Sequence, residues 1–398
     1  MKLPVYMDYH ATTPVDPRVV EAMLPYFTEK FGNPASRQHQ FGWIAEEAVS
    51  SARAQVAHAL NAEPREIIFT SGATESNNLA LKGVAEAVGG KRKHVITCAT
   101  EHKSVLDVCK QLAREGIEVT VLPVDKSGLI DLGMLRDSIE DNTILVSIMI
   151  ANNEIGTIQP IAEIGAICRE RGILFHTDAT QAVGKIPVDV QTMNIDLLSL
   201  SGHKVYGPKG VGALYIRARD PRVRLKAQID GGGHERGLRS GTPNVPAVVG
   251  LGKAIELSRE SMGQEGDRIR RLRDKLEETL KANTPNSYVN GHPAKKLPNN
   301  LNMSFLYAED NAVMLGMKDV AVASGSACSS AEPTPSHVLR ALGIGVERET
   351  SAIRFGLGRW TTEEEVDFVA RRVIDTVDKV RSLSPGYKSR RSTSIAVP

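Results

Sequence analysis

The sequence predicts an α/β protein with a mostly parallel, helix-covered sheet in a large domain, followed by a smaller α+β domain. In the first half of the chain, short apolar or β-branched runs alternate with helical patterns, which is typical of a parallel sheet covered by helices. After a glycine-rich stretch at 231–244 the composition changes to a long charged helix and short strands. A chain of 398 residues is long enough for two cores.

Boundaries follow from these changes in pattern. We expect four parts: a segment 1–16 that joins the small domain, a large domain 17–244, a small domain 245–384, and a tail 385–398. The tail is polar and basic without an apolar period, so we expect it to be disordered.

The elements of the large domain can be assigned in order. A short strand at 5–7 leads to a helix over 17–29, for which Pro17 is a suitable first-turn residue, and a second helix covers 40–60. The strands that follow are predicted at 66–70, 94–98, 117–122, 143–150, 173–178, 196–200 and 212–216. Helices are expected to open at SGATESNN and near Lys103.

The C-terminal part has fewer strands and longer helices. A helix over 245–281, with some interruption, is rich in Glu, Lys and Arg. Strands are predicted at 300–306 and 351–356, and helices at 336–341 and 362–383.

Composition excludes several classes of function. The formal net charge is +2, which gives no reason to expect nucleic acid as a partner. No run of about 18 apolar residues is present, so we expect no membrane span. The chain enters its first strand almost at once and its four cysteines have no CxxC spacing, which predicts a cytoplasmic, reduced protein without a signal peptide.

Polar residues follow the predicted strands at equivalent places, and parallel sheets bind ligands beyond the carboxyl ends of their strands. Because these residues recur at strand ends, we expect them to form one site. They are Thr74, His102, Asn153, Asp178, Gln181 and Lys204.

Lys204 lies in SLSGHKVYGPKGVG (199–212), after a buried strand and before a tight Gly-Pro turn. A lysine whose pKa is lowered by burial or nearby cations can hold a carbonyl cofactor as a Schiff base. Ser201 and His203 are suited to bind an anion beside it. The alternative is a lysine in a solvated turn.

Three further segments suit a cofactor with a phosphate and a ring. SGATES (71–76) places small residues at a strand-to-helix turn. Such a turn is suited to bind a phosphate, and the alternative is an ordinary helix cap. Asp178 is suited to hold a ring nitrogen protonated, which makes a pyridine ring an electron sink, or it is a turn residue. His102 is suited to stack on a ring and move protons, or it caps a helix.

Cys328 and Arg354 are candidate reactive groups of the C-terminal part. Cys328 lies among Ser, Ala and Gly in VASGSACSSAEPTPSHVL, a segment that we expect to be accessible and mobile. Cys98, Cys109 and Cys168 lie in strand or helix patterns, where we expect buried, inert thiols. Arg354 is suited to clamp a carboxylate, with a surface ion pair as the alternative.

Taken together, these segments resemble the cysteine desulfurases of the IscS/NifS type, pyridoxal-phosphate enzymes of the class-V aminotransferase group. The resemblance covers nearly the whole chain. Its segments include FGNPASR, FTSGATESNNLA, TEHKSVLDVCKQL, NNEIGTIQPI, DATQAVGK, SGHKVYGPKGVGALY, GGGHERGLRSGT and SGSACSSAEPTPSHVLRALG.

The resemblance implies the fold, the reaction and the partners. The fold is fold type I of the pyridoxal 5'-phosphate enzymes, in a homodimer. The reaction converts L-cysteine to L-alanine and leaves a persulfide on the enzyme. Its acceptors are an iron–sulfur scaffold protein and other sulfur acceptors, which the long cysteine segment favours.

Roles are also implied residue by residue. Lys204 holds the cofactor as a Schiff base, and Cys328 carries the persulfide and is a candidate to ligate a cluster transiently with a scaffold, with no metal site of its own. The phosphate of the cofactor is bound by Ala73, Thr74, Ser201 and His203, together with Thr242 from the second subunit. Asp178 contacts the ring nitrogen, Gln181 contacts the ring hydroxyl, and His102 stacks against the ring. Substrate is oriented by Asn153 and Arg354, with Arg354 on its carboxylate and Asn33 nearby.

Two departures and three alternatives accompany this interpretation. His10 lies where such enzymes often carry Ser or Asn, and the tail differs from the one that many housekeeping members use near their scaffold. A related aminotransferase needs Lys204 but not Cys328, a selenocysteine lyase needs both, and a non-catalytic sulfur carrier needs Cys328 alone.

Overall fold

The structure is a computed structural model that describes residues 1–90, 93–324, 336–383 and 387. The chain begins with strand β1 (Val5–Tyr6). The helices that precede or alternate with the large sheet are α1 (Pro17–Met23), α2 (Pro25–Thr28), α3 (Gln40–Ala59), α4 (Ala73–Ala87), α5 (Lys103–Arg114), α6 (Leu132–Asp137) and α7 (Ile161–Arg171). None of the described helices has the length and apolar character that a membrane span requires.

Seven strands form the central sheet. They are β2 (Ile67–Thr70), β3 (His94–Cys98), β4 (Glu118–Leu122), β5 (Thr143–Ser147), β6 (Leu174–Asp178), β7 (Leu197–Ser201) and β8 (Gly212–Ile216). Their order is β2-β8-β7-β6-β5-β3-β4, in which β8 is antiparallel to both neighbours and the other pairs are parallel. The mostly parallel sheet expected from the sequence is confirmed.

Both faces of this sheet are buried, which explains the continuous apolar runs. Alternate residues of one strand enter different cores: Ile67 and Phe69 pack with residues of α3, α7 and α8, whereas Ile68 packs with residues of α4 and α5. The helices therefore cover two faces and leave the carboxyl edge of the sheet for a ligand.

The C-terminal elements form a four-stranded antiparallel sheet with helices. They are α8 (Val245–Asn283), β9 (Ser287–Val289), β10 (Asn300–Phe305), α9 (Asp310–Gly316), β11 (Val320–Ala321), β12 (Ala323–Ser324), α10 (His337–Ala341), α11 (Val346–Glu349), β13 (Ala352–Gly356) and α12 (Glu363–Leu383). The sheet order is β12-β13-β10-β9, and β1 pairs with β11 beside it. The N-terminal segment thus reaches the C-terminal part.

The long helix α8 contributes to two cores. Leu251 and Ile255 pack in the core beside α3, whereas Leu276 and Leu280 pack with Phe355 in the C-terminal core. The interruption expected within this helix is absent, since it is continuous over 39 residues.

The helix expected over 17–29 is the clearest difference in the first part of the chain. It is two short helices, because Pro25 has no N–H to donate and begins α2 at its first position. The strand expected over 143–150 ends at Ser147, although Ile148 and Ile150 still donate backbone hydrogen bonds to His176 and Asp178. The tail 385–398 lies outside the described residues except for Tyr387.

Candidate active site

A cavity of about 520 Å³ lies at the carboxyl edge of the large sheet. Residues from the N-terminal segment, the start of α4, the start of α5 and the ends of β6 and β7 line it. Its lining includes two lysines, Lys204 and Lys209, and two carboxylates, Glu75 and Asp178. The strand-end residues that the sequence placed together therefore do meet at one site.

Lys204 is held by a tight turn that follows β7. Gly202–Lys204 form one turn of 3₁₀ helix, and a Cβ at Gly202 would come within 2.9 Å of the carbonyl oxygen of Pro208, so only glycine fits. The Lys204 amine donates to the carbonyl oxygens of His10 and Ala11, each at 2.6 Å. The N-terminal segment thereby fixes the position of the amine in the cavity.

Asp178 is connected to His102 through the buried side chain of Asn77 and the partly buried side chain of Ser104. Asn77 Nδ2 donates to Asp178 Oδ2 and to Ser104 Oγ, each at 2.8 Å. The hydroxyl of Ser104 lies 2.8 Å from Nδ1 of His102, which also accepts from the Ser104 amide. Asp178 Oδ1 also accepts from the amide of Thr180, so each of its two oxygens has a hydrogen-bond donor. We call His102, Asp178, Ser201, His203 and Lys204 the sheet-edge cluster.

The start of α4 provides an anion site. Its N-cap is Gly72 and no side chain caps it, so first-turn N–H groups at Ala73 and Thr74 face the cavity without intrahelical partners. Glu75 would repel an anion here, but it accepts from Arg239 at 2.9 Å and from the Ser71 amide at 2.8 Å. Burial alone would raise the pKa of Glu75, and these hydrogen bonds outweigh it and lower the pKa.

The two histidines of the sheet-edge cluster are held neutral. Burial, followed by the charges of Lys204, Lys209 and Lys185, lowers the pKa of His203 to about 4. Burial also lowers the pKa of His102, although Asp178 partly opposes it. A neutral imidazole next to a ring can accept and release protons without adding a fixed charge.

Arg354 is buried and forms an ion pair with the partly exposed Asp8. On β13, with its side chain 2% exposed, it donates from Nη2 to Asp8 at 2.7 Å and from Nη1 to the carbonyl oxygen of Asn153 at 3.0 Å. Its Nε has no partner among the described residues. We call Asp8, Asn153 and Arg354 the Arg354 cluster.

The structure brings most of the predicted site residues into the cavity wall. They are Ala73, Thr74, His102, Asn153, Asp178, Gln181, Ser201, His203 and Lys204. Asn33 does not line the cavity: it lies exposed in a turn, where its side chain accepts from the Ala35 amide. Thr242 is exposed before α8, outside this cavity, and Cys328 lies outside the described residues.

The expectation that three cysteines are buried is confirmed, since Cys98, Cys109 and Cys168 are buried thiols. Burial raises the pKa of Cys109 and of Cys168 to about 12. The third thiol, Cys98, contacts the buried carboxyl of Glu101. None of these three is activated as a nucleophile.

Several functional side chains were missed by sequence reasoning. Asn77, Ser104 and Thr180 stand around Asp178, and Asp8 pairs with Arg354. The only available signal was that Asn77 follows the SGATES turn by one residue, which places it on the same helix face as Ala73.

The donor set of the cavity fits pyridoxal phosphate. The uncapped start of α4 suits the phosphate, the Lys204 amine suits the carbonyl carbon, and the buried Asp178 carboxylate suits a protonated ring nitrogen. The hydroxyl of Thr180, on the cavity wall, has no partner among the described residues. The fold and the site thus define a pyridoxal-phosphate enzyme of fold type I.

Comparisons with known proteins identify the family. The model of the aminotransferase class-V family matches residues 5–369. The chain is similar to cysteine desulfurase IscS of Anaeromyxobacter sp. (strain Fw109-5), at 59% identity over 98% of this chain and 96% of the relative. It is 56% identical to cysteine desulfurase IscS of Anaeromyxobacter dehalogenans (strain 2CP-C), with the same coverage.

A solved structure of a NifS-like protein has a TM-score of 0.87 and 39% identity to this chain, and it covers 94% of this chain and 99% of its own. The chain belongs to the aminotransferase class-V family. Its cofactor is pyridoxal 5'-phosphate.

Proposed function

We propose that this chain is a cysteine desulfurase, which takes sulfur from L-cysteine, releases L-alanine and passes the sulfur on for iron–sulfur cluster assembly. One observation carries the proposal: Lys204 and Asp178 meet in one cavity beside an uncapped helix start. The curated relatives of this family member at 56–59% identity are named cysteine desulfurases.

The sheet-edge cluster would hold the cofactor. Lys204 would bind its carbonyl carbon, Asp178 its ring nitrogen and Gln181 its ring hydroxyl, while His102 would lie against the ring. The phosphate would be held by Ala73, Thr74, Ser201 and His203, with Thr242 from the second subunit of a homodimer. When bound, the cofactor supplies an electron sink for bonds at the α-carbon of the substrate.

The Arg354 cluster would orient L-cysteine. Arg354 uses two donors on Asp8 and Asn153, and a guanidinium has five, so donors remain for a substrate carboxylate. Asn153 lines the cavity next to it. Asn33 lies in an exposed turn, so it would contact the substrate only through a second subunit or a movement of that turn.

Lys204 would act twice. Its amine would hold the carbonyl carbon of the cofactor before the substrate binds, and as a free amine it would then move a proton at the α-carbon of the substrate. The carbonyl oxygens of His10 and Ala11 would keep that amine in the cavity between the two steps, since each accepts one of its N–H groups.

Cys328 would receive the sulfur. Its thiolate attacks the sulfur of bound cysteine, so that a sulfur–sulfur bond forms as the carbon–sulfur bond breaks with its electron pair on carbon. The carbon fragment takes up a proton and leaves as alanine, and the persulfide goes to an iron–sulfur scaffold or another acceptor. Transient ligation of a cluster by Cys328 with the scaffold belongs to the same proposal.

Described residues on both sides of 325–335 support this role. Before it, Ala323 pairs with Arg354 across β12 and β13. After it, Ser336 donates to Glu154 and His337 lies 2.9 Å from the carbonyl oxygen of Glu101, next to Asn153 and His102 respectively. Both attachment points therefore contact residues that adjoin or bond to the cavity-lining residues Asn153 and His102. We also propose that the protein acts in the cytoplasm.

The proposal can be tested on reconstituted protein with L-cysteine. Wild type should show the visible band of bound cofactor and release alanine and, with a reductant, sulfide. Lys204→Ala should lose the Schiff-base absorption band and should not turn over L-cysteine. Lys110 is an exposed lysine on α5, so Lys110→Ala should keep both the band and the turnover. Cys328→Ala should keep the band and its response to cysteine but release no sulfur.

Each alternative predicts a different result. Wild type that does not bind the cofactor contradicts the enzyme and favours a sulfur carrier. Full turnover in Cys328→Ala favours a related lyase or aminotransferase, and a strong preference for selenocysteine over cysteine favours a selenocysteine lyase.

A further inference from the structure

Four polar side chains form a hydrogen-bonding network beside the cavity, and the proposed reaction gives a role to only one of them, Gln181. We call it the His10 network, and its members are His10, Gln181, Lys185 and Asn300. They come from the N-terminal segment, the loop after β6, and β10 of the C-terminal sheet. His10 and Gln181 line the cavity.

Two backbone carbonyls fix the orientation of both amides in this network. Asn300 Nδ2 donates to the carbonyl oxygen of Glu154 at 3.1 Å, and Gln181 Nε2 donates to the carbonyl oxygen of His10 at 3.0 Å. Because a carbonyl oxygen only accepts, the nitrogen and the oxygen of each amide are assigned.

The ring of His10 then has one arrangement of protons. Its Nε2 lies 3.1 Å from the donor Asn300 Nδ2, so Nε2 accepts. Its Nδ1 lies 2.9 Å from the acceptor Gln181 Oε1, so Nδ1 carries the proton. The ring is 1% exposed, and burial, followed by the charges of Arg354 and Lys185, lowers its pKa well below the usual value, so it stays neutral.

Lys185 is a second donor to the same oxygen. Its amine donates to Gln181 Oε1 at 3.2 Å and to the carbonyl oxygen of Gln181 at 3.1 Å. Burial and the charge of Lys204 lower the pKa of Lys185 to about 7, but the amine carries N–H groups in either state. Gln181 Oε1 therefore accepts two hydrogen bonds, and one N–H of Nε2 has no partner among the described residues.

We propose that the His10 network makes Gln181 a pure hydrogen-bond donor toward the cofactor, so that its remaining N–H stabilises the deprotonated ring hydroxyl. His10, Lys185 and Asn300 are positioning residues that act through Gln181. This inference rests on the proposed function, which puts Gln181 beside that hydroxyl. It also gives a role to the side chain of His10.

The charged groups around the network are Lys185, Lys204, Arg354 and, across the cavity, Asp178. Removing Lys185 changes both a charge and a hydrogen bond, whereas removing the neutral ring of His10 changes only hydrogen bonds. The carbonyl oxygen of His10, which accepts from Lys204 and Gln181, is retained in any variant.

The test is a pH titration of the cofactor's visible absorption band in the reconstituted holoenzyme. Without the two donors to Oε1, only the bond from Nε2 to the carbonyl oxygen of His10 still favours the present orientation of the Gln181 amide. The flipped amide, with Oε1 toward the cofactor, is then more populated, so the ring hydroxyl keeps its proton to higher pH. The pH midpoint of the band should rise by about half a pH unit in His10→Leu and by about one unit in Lys185→Met/His10→Leu. Lys185→Arg, which keeps N–H donors, and Lys110→Met on the surface should leave the midpoint within about 0.2 units of wild type.

The outcomes separate this inference from the proposed function. If wild type forms no band and does not turn over cysteine, the proposed function fails. If wild type does both but the midpoints of His10→Leu and the double variant equal that of wild type, the role of the network is contradicted and the function stands. Should His10→Leu fail to fold, Lys185→Met decides, because Lys185 is only partly buried: a rise that Lys185→Arg abolishes supports the network, and equal midpoints contradict it.

Discussion

The sheet-edge cluster lines the cavity, and the Arg354 cluster reaches it through Asn153 alone, but the two clusters are held in different ways. In the sheet-edge cluster, His102 bonds to Ser104 two residues away and Asp178 to the Thr180 amide at the same separation. In the Arg354 cluster, Arg354 bonds to Asp8, 346 residues distant in the chain.

The positions of the two sets of side chains therefore depend on different parts of the fold. In the sheet-edge cluster, His102 and Asp178 are held by bonds inside the large sheet and its helices. The amine of Lys204 is the exception, because it also depends on the carbonyl oxygens of His10 and Ala11 in the N-terminal segment. The substrate groups depend on how the N-terminal segment and the C-terminal sheet meet. Changes in the first cluster should therefore abolish chemistry, whereas changes in the second should alter substrate binding.

The largest effect is expected at Asp178. Asp178→Asn keeps an acceptor but loses the negative charge that would hold a ring nitrogen protonated, so kcat should fall by at least about 100-fold. Steady-state alanine release measures this. Asp125→Asn, in a surface turn, is the matched control, and a kcat within a few-fold of wild type in Asp178→Asn would contradict the assignment.

At Asp8 we expect smaller effects, and two substitutions should change KM in opposite directions. On the proposed role of Arg354, the Asp8 carboxylate would compete with the substrate carboxylate for it, and two charges about 4 Å apart near a surface interact by ~1–4 kcal/mol. Asp8→Asn keeps the hydrogen bond without the charge, so KM for L-cysteine should fall by roughly five-fold. Asp8→Ala removes both the hydrogen bond and the charge and should raise KM, and kcat should stay nearly unchanged in both variants. If KM changes in the same direction in both variants, Asp8 does not act on Arg354 through a hydrogen bond and an opposing charge.

The affinity for the cofactor phosphate at the start of α4 should depend on Arg239. Arg239→Ala leaves the Glu75 carboxylate uncompensated at the start of α4, which should weaken cofactor binding by about three- to ten-fold. Fluorescence titration of the apoenzyme with pyridoxal phosphate measures this. Arg239→Ala/Glu75→Gln should restore the affinity, and no recovery in that double variant would mean that Arg239 acts elsewhere.

The smallest effects concern two buried carboxyls, one beside each cluster. Burial raises the pKa of Glu101 to about 8 and that of Glu154 to about 7. A raised pKa means that the fold prefers the neutral acid, so this contribution to stability is complete below the unfolded pKa of about 4.3 and is lost as the pH rises through the folded pKa.

Glu101→Gln and Glu154→Gln should therefore gain Tm relative to wild type as the pH rises. The gain for Glu154→Gln should level off above about pH 7, whereas that for Glu101→Gln should continue to about pH 8. Thermal unfolding at pH 5.5, 7 and 8.5 checks both. A gain that shrinks with rising pH would contradict the direction of these pKa changes.

The same contrast explains what could be predicted from the sequence. Strands such as β3, β6 and β7 have apolar runs that identify them, and Asp178 and Lys204 follow such runs directly. The structure confirms both the mostly parallel sheet and the meeting of these residues at one cavity.

The features that the sequence did not predict depend on contacts between segments that are distant in the chain. The sequence does not indicate that His10 meets Asn300, or that Asp8 pairs with Arg354, because neither segment carries a local pattern for the other. The break at Pro25 was a local signal that the apolar period obscured. The roles of Asn77 and Lys185 follow only from which carbonyls and amides surround them.

The central claim is that sulfur from L-cysteine reaches Cys328 through chemistry at Lys204, and intact-protein mass spectrometry after exposure to L-cysteine without reductant tests it most directly. Wild type and Cys168→Ala, which lacks a buried thiol, should gain the mass of one sulfur atom. Cys328→Ala and Lys204→Ala should gain none. Alanine release by wild type without added sulfur on Cys328, or added sulfur in Lys204→Ala, would contradict the account.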